Sequence, residues 1–386
     1  MLTLLENANI FSPEACGTGF VLTGGGSILY VGAKRPEIDR DVLTESVDLQ
    51  GAYLVPGFVD AHVHSTGGGG EGGFSTQVPA VPVSQFTRHG VTTVVGLLGC
   101  DDETRNMANL LARTRALCEE GLSAWCWTGG YHVPPVTLTG SVRSDIVHID
   151  RVLGLGEIAI SDHRSSQPSQ DELARLASEV HVGGMLSGKA GVMHLHLGDG
   201  ARGLEPVRQL LAGTELPPRM FHPTHVNRQK RLFEEACELA NRGVTIDLTA
   251  VEPIHEDEWS AEDAWEQFMD QGCPPQRITV SSDGGGCIPQ FDEHGGLQGM
   301  DVGSSETLPR WLAELQRRGH ALELLLPAIT SNVASLLKLK AKGRIATGMD
   351  ADLLCLGADM APLHVMARGR WMVRDGKVTR RGRFEG

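Results

Sequence analysis

The chain has 386 residues, 41% hydrophobic and 21% charged, the balance of a globular protein too long for one small core, so a large domain beside a minor one is expected. A formal charge of −14 argues against a nucleic-acid partner, which requires a basic face. The eight cysteines are scattered with no CxxC pair, no apolar run approaches the ~18 residues of a membrane span, and no charged-then-apolar leader opens the chain, so a cytoplasmic protein without disulfides or membrane contact is expected.

Residues 1 to about 55 read as short strands, at Met1–Ile10, Ser27–Gly32 and Val47–Leu54, separated by Gly, Pro and charged turns. The C-terminal stretch has the same character, with strand-like runs at 343–356, 364–367 and 371–378. Between them, short apolar runs alternate with longer amphipathic ones, the pattern of repeated βα units. Eight strands are expected, at 53–61, 91–98, 123–128, 155–160, 191–197, 219–224, 244–249 and 277–282. Helices are expected over Glu103–Glu120, Asp171–Leu186, Gln229–Arg242 and Glu306–Arg318. The predicted fold is α/β. Residues 55–342 form a (β/α)8 TIM-type barrel, and residues 1–54 plus 343–386 form a small β-sandwich.

In such a barrel the chemistry lies at the C-terminal ends of the strands. Strand 1 ends in His62-Val63-His64, whose imidazoles share one face and make half a site for a divalent metal. Ser65–Gly73 follows, almost all glycine around Glu71. Strand 2 ends near Cys100, and strand 3 leads through Thr128-Gly129-Gly130 to Tyr131. Strand 4 carries Glu157 and then Ser161-Asp162-His163-Arg164. Strand 5 ends at His194-Leu195-His196, strand 6 at His222-Pro223-Thr224-His225-Val226-Asn227-Arg228, and strand 8 at Ser281-Ser282-Asp283, followed by Gly284-Gly285-Gly286-Cys287. Arg164 and Arg228, after strands 4 and 6, overlook the same end of the barrel, and a guanidinium grips a carboxylate bidentately.

This order of ligating residues resembles the amidohydrolase superfamily, and within it the isoaspartyl (β-aspartyl) dipeptidases. The segments that carry the resemblance are Pro56–Asp60, Gly67–Glu71, Thr128–Ser141, Ala159–Arg164, Pro223–Arg228 and Ser281–Gly284, and it extends over nearly the whole chain. It implies two divalent cations, zinc first, with cobalt or manganese as alternatives. His62, His64 and Asp283 would hold one, His196 and His225 the other, with Glu157 bridging. A metal-bridging hydroxide would be the nucleophile and Asp283 the general base and then acid. The resemblance also puts the substrate's carboxylates on Arg164 and Arg228, its α-amino group on Glu71 and its developing oxyanion at Tyr131. Gly69, Gly70, Cys100 and Cys287 complete the expected substrate wall. The partner implied is a small dipeptide with an acidic N-terminal residue, and the family implies a homo-oligomer.

Three positions depart from the family pattern. Glu157 stands where a carboxylated lysine is usual, and its side chain is shorter by three chain atoms. It bridges only if the strand or the cations shift by a few ångströms. Cys100 replaces a threonine and Cys287 a serine, exchanging hydroxyls for weaker thiol donors or for mere packing. His194, sharing parity with His196, is a candidate outer-sphere partner, while His132, His163 and His222 read as hydrogen-bonded core or loop histidines. Two other functions stay open: an amidohydrolase for another N-acyl amino acid or a cyclic amide, and a non-catalytic assembly protein retaining the barrel. Metal identity and oligomer size are not fixed by the residues.

Overall fold

The structure, a computed structural model, describes residues 2–39, 41–291 and 297–385, so Met1 of the first expected strand lies outside it. Five strands open the chain: β1 (Leu2–Phe11), β2 (Ala15–Gly24), β3 (Ser27–Gly32), β4 (Leu43–Asp48) and β5 (Tyr53–Pro56). Eight follow in the middle: β6 (Phe58–Val63), β7 (Val91–Gly96), β8 (Ser123–Thr128), β9 (Val152–Ile160), β10 (Val192–Leu197), β11 (Phe221–Thr224), β12 (Ile246–Thr249) and β13 (Ile278–Ser281). A hairpin of β14 (Cys287–Phe291) and β15 (Leu297–Val302) comes next. The last strands are β16 (Leu353–Leu356), β17 (Pro362–Ala367), β18 (Arg370–Arg374) and β19 (Lys377–Val378).

Strands β6 to β11 form one parallel sheet in sequence order, and β12 pairs with β13. Every residue of β6, β7, β9 and β10 is buried, as parallel strands covered on both faces must be. Polar side chains join the sheet to the pair. Thr224 Oγ1 donates to Asp247 Oδ2 at 2.7 Å on one side. On the other, Ser282 Oγ donates to Asp60 Oδ2, and Val63 bridges to Gly284. The result is the expected TIM-type barrel. Helices surround it at Met107–Glu120, Gln170–Ser187, Lys230–Asn241 and Thr307–Arg317, each within a few residues of its predicted range. Local chemistry sets their ends. Asn106 accepts from the Asn109 amide, Ser169 and Glu172 form a capping box, and Gly188 ends its helix in the left-handed region that glycine adopts freely.

The predicted strand 53–61 is two strands. β5 belongs to the terminal sheet and β6 to the barrel, with Gly57 between them. The Gly57 amide donates to the Asp352 carbonyl at 2.9 Å, and a Cβ there would lie 2.3 Å from Thr92 Oγ1, so no side chain fits at the crossover. β2 and the β14–β15 hairpin were not among the predicted strands, and the run expected at Val47–Leu54 divides between the end of β4 and the start of β5 with a turn between them.

Among the described residues both termini share one nine-stranded sheet, in the order β19-β18-β17-β16-β5-β1-β2-β3 with β4 also on β1. It folds over on itself, bringing Trp371 Nε1 of β18 to 2.8 Å from Glu45 Oε2 of β4, which is the expected sandwich. Alternation along β16 splits its side chains between two cores. Leu353 and Cys355 pack inside the sandwich, whereas Leu354 and Leu356 pack with the barrel.

Candidate active site

Glu157 lies within β9, and the other ligating side chains sit at or just past a strand end. His62 is the penultimate residue of β6 and His64 follows it, so both rings reach Asp283 Oδ1, at 3.3 and 3.2 Å. The two oxygens of Glu157 divide between two pairs of imidazoles. Oε1 lies 3.7 and 3.5 Å from the Nε2 atoms of His62 and His64, and Oε2 lies 3.0 Å from His196 Nδ1 and 3.6 Å from His225 Nε2. His225 and Asp283 both have left-handed backbones, with φ of 61° and 52°, a conformation uncommon outside glycine and concentrated at functional sites.

His62, His64 and Asp283 form one cluster of mutually close ligating atoms, and His62, Glu157 and His225 another. His196 stands outside both. Its Nε2 lies 3.1 Å from Asp162 Oδ2 and 3.2 Å from Arg164 Nη2, while its Nδ1 faces Glu157 and, at 2.8 Å, the Tyr131 hydroxyl. His62 Nε2, Glu157 Oε1 and Asp283 Oδ1 are buried without a hydrogen-bond partner among the described residues, and they face one another. Buried polar atoms are rarely left so.

The electrostatics agree. Burial alone would raise the Glu157 and Asp283 carboxyls, yet the neighbouring histidines hold both well below the usual carboxylate range. Burial lowers His225 to about 3, whereas at His62 the charges of Glu157 and Asp283 overcome burial and raise it to about 9. The site thus draws a positive charge between its carboxylates, where a divalent cation would displace the proton. Imidazoles with ionised carboxylates, several of them otherwise unsatisfied, fit such a cation.

Above the cluster opens a pocket of about 420 Å3, lined among others by Gly69, Glu71, Cys100, Tyr131, Arg164, Arg228 and Cys287. Gly70 lies beside Gly69 with its Cβ direction toward Asp101. Glu71 Oε1 accepts from Arg164 Nη1 at 3.4 Å, and its Oε2 is buried without a partner among the described residues. Arg228 Nη1 donates to the Leu197 carbonyl at 2.9 Å. Burial pushes the Tyr131 phenol well up, which keeps it a neutral donor. Burial, with Glu71 nearby, pushes the Cys100 and Cys287 thiols up to about 11 and about 12, so neither is a thiolate at neutral pH.

Two features went unread in the sequence. Asp162 grips Arg164 with both oxygens, at 3.0 and 2.8 Å, and also touches His196. Its signal was local, an acid two residues before an arginine. Thr249 Oγ1 lies 2.6 Å from His225 Nδ1, a pairing across 24 residues with no sequence signal.

The sequence profile of the amidohydrolase family matches residues 53–372. The beta-aspartyl dipeptidase of Fervidobacterium islandicum AW-1, solved in complex with the dipeptide beta-Asp-Leu, is 42% identical, covers 100% of both chains and superposes with a TM-score of 0.93. The dihydropyrimidinase of Brevibacillus agri NCHU1002, 15% identical over 99% of this chain and 97% of its own, shares the fold at a TM-score of 0.69. The imidazolonepropionase of Acinetobacter baumannii is 28% identical over 114 residues, which is 29% of this chain and only 28% of that relative's length. The full-length match in sequence and in fold decides the matter: the chain belongs to the amidohydrolase family, in the branch of the beta-aspartyl dipeptidases.

Proposed function

We propose that the protein is a metal-dependent dipeptidase that hydrolyses the β-aspartyl isopeptide bond of isoaspartyl dipeptides. The observation that carries this reading is the division of the Glu157 oxygens between His62 with His64 and His196 with His225, beside a pocket that offers both an unpartnered carboxylate and arginines. His62, His64 and Asp283 would hold one divalent cation and His196 and His225 a second, with Glu157 available to both. Zinc suits the donor set best, with cobalt or manganese as substitutes. Bound there, divalent cations supply Lewis acidity that acidifies water and polarises a carbonyl.

The side chains do the rest. Asp283 takes a proton from the attacking water and returns it to the departing amine. The Tyr131 hydroxyl donates to the oxygen that gains charge in the transition state. Glu71 Oε2 accepts from the substrate's α-ammonium, and the free N–H groups of Arg164 and Arg228 bind its carboxylates. Gly69, Gly70, Cys100 and Cys287 shape the wall around them. A cytoplasmic setting agrees with eight free thiols, and homo-oligomeric assembly belongs to the same proposal, testable by light scattering. Among the described residues no helix is long and apolar enough to cross a membrane.

A substrate panel tests the reading. Turnover of β-Asp-Leu is expected, with α-Asp-Leu, N-acyl amino acids and dihydroorotate turned over far more slowly. Activity on either of the last two without β-Asp-Leu hydrolysis transfers the protein to a sibling activity.

A further inference from the structure

Below the ligating atoms, a line of fully buried side chains runs from His62 into the barrel. His62 Nδ1 lies 2.8 Å from His194 Nε2, and His194 Nδ1 lies 2.9 Å from His222 Nδ1 and 3.1 Å from the His222 carbonyl oxygen. His222 Nε2 then lies 2.9 Å from Thr279 Oγ1, which donates to Asp247 Oδ1 at 2.6 Å. Thr224 and Ser281 also donate to Asp247, both to Oδ2, at 2.7 and 2.6 Å.

The proton positions follow from one condition. If His62 Nε2 is bare, as a ligand must be, the neutral ring carries its proton on Nδ1 and donates to His194 Nε2. His194 therefore carries its own proton on Nδ1 and directs it at His222. Two N–H groups cannot face each other, so His222 Nδ1 is bare and its Nε2 donates to Thr279. The Thr279 hydroxyl is left to donate to Asp247, a carboxylate accepting from three hydroxyls. Each ring has a single neutral tautomer, and every bond in the line points away from the site.

The line is also held mechanically. Trp127 stacks on His194 at 5.1 Å and 12°, and its Nε1 donates to the Ala61 carbonyl at 3.0 Å. On the neighbouring strand β9, a Cβ at Gly156 would come within 2.7 Å of His194 Cβ. His194 has little room to turn.

We propose that His194, His222, Thr279 and Asp247 are positioning residues that fix the tautomer and aim of His62 and so set how tightly the site holds its cation. A metal-ligating histidine is commonly oriented by one outer acceptor. Here the acceptor is relayed through two further rings and a hydroxyl to a carboxylate on β12. The inference rests on the assignment of His62 as a ligand.

The test is Thr279→Val, which keeps the shape and removes the one hydroxyl that links His222 to Asp247, with Thr279→Ser as the rescue. On the full chain, the Zn2+ dissociation constant from chelator competition is measured beside the melting temperature of the metal-free protein. Thr279→Val is expected to weaken Zn2+ binding about 10–100-fold, the usual cost of losing an outer partner, and Thr279→Ser to stay close to wild type. A Thr279→Val protein that binds Zn2+ as wild type does, whatever its melting temperature, overturns the inference alone. A wild type that retains no Zn2+ overturns the ligand assignment and the inference together. Should Thr279→Val not fold, Asp247→Asn is read by the same criteria.

Discussion

Glu157 stands where the family resemblance leads to an expected carboxylated lysine, and its geometry suits it to that place. Its two oxygens already face separate histidine pairs at 3.0–3.7 Å, without the extra reach of a carboxylated lysine. Turnover is therefore expected to be indifferent to added bicarbonate, and activation by bicarbonate would contradict this role. Glu157→Gln should lower retained metal and turnover by more than the ~10–100-fold typical of an outer-sphere loss. Asp162 acts on Arg164: removing one acceptor of a charged pair costs about 1.5–3 kcal/mol. Asp162→Asn should accordingly raise KM for β-Asp-Leu about 10–100-fold while changing kcat less, and a change confined to kcat would place Asp162 in the chemistry instead. The strand-end ligands were legible because each closes an apolar run within a few residues. The line from His62 to Asp247 was not, since its members lie 28 to 132 residues apart and are joined only by barrel closure.

At the scale of elements, periodicity located four of the helices and the barrel strands, but two kinds of information lay beyond it. Apart from Asp60 the stretch 53–61 has no charged or polar break whether it serves one sheet or two, and only the crowding of Gly57 against Thr92 reveals the crossover. Segments such as Ala15–Gly24 carry four exposed residues at their start, so the alternation that marks a strand is weak there. Close backbone contacts fix how elements pack. The helix Gln170–Ser187 meets the turn before β10 where a Cβ on Gly184 would lie 2.5 Å from Gly191 Cα. Backbone cannot yield as a side chain can, so Gly184→Ala should destabilise by about 1–3 kcal/mol in a denaturant titration. Gly213→Ala, where a Cβ meets nothing, is the matched control and should be nearly neutral.

For the whole molecule, we propose the domain limits 1–54 plus 343–386 and 55–342, with the two parts unfolding as one. β16 gives alternate residues to both cores. Lys342 is buried with its ammonium on Asp350, Asp352 and Ser123, spanning the end of the barrel chain and the start of the last sheet. A single calorimetric transition is expected, and two resolved transitions would contradict the coupling. Lys342→Met should cost about 3–5 kcal/mol, because it leaves the buried Asp352 without its cation. The most direct measurement of the central claim follows β-Asp-Leu hydrolysis and metal content through one cycle of chelation and Zn2+ re-addition. The account predicts two divalent ions per chain as purified, loss of ions and turnover together, and recovery of both on re-addition. Full turnover by the metal-free protein would contradict it.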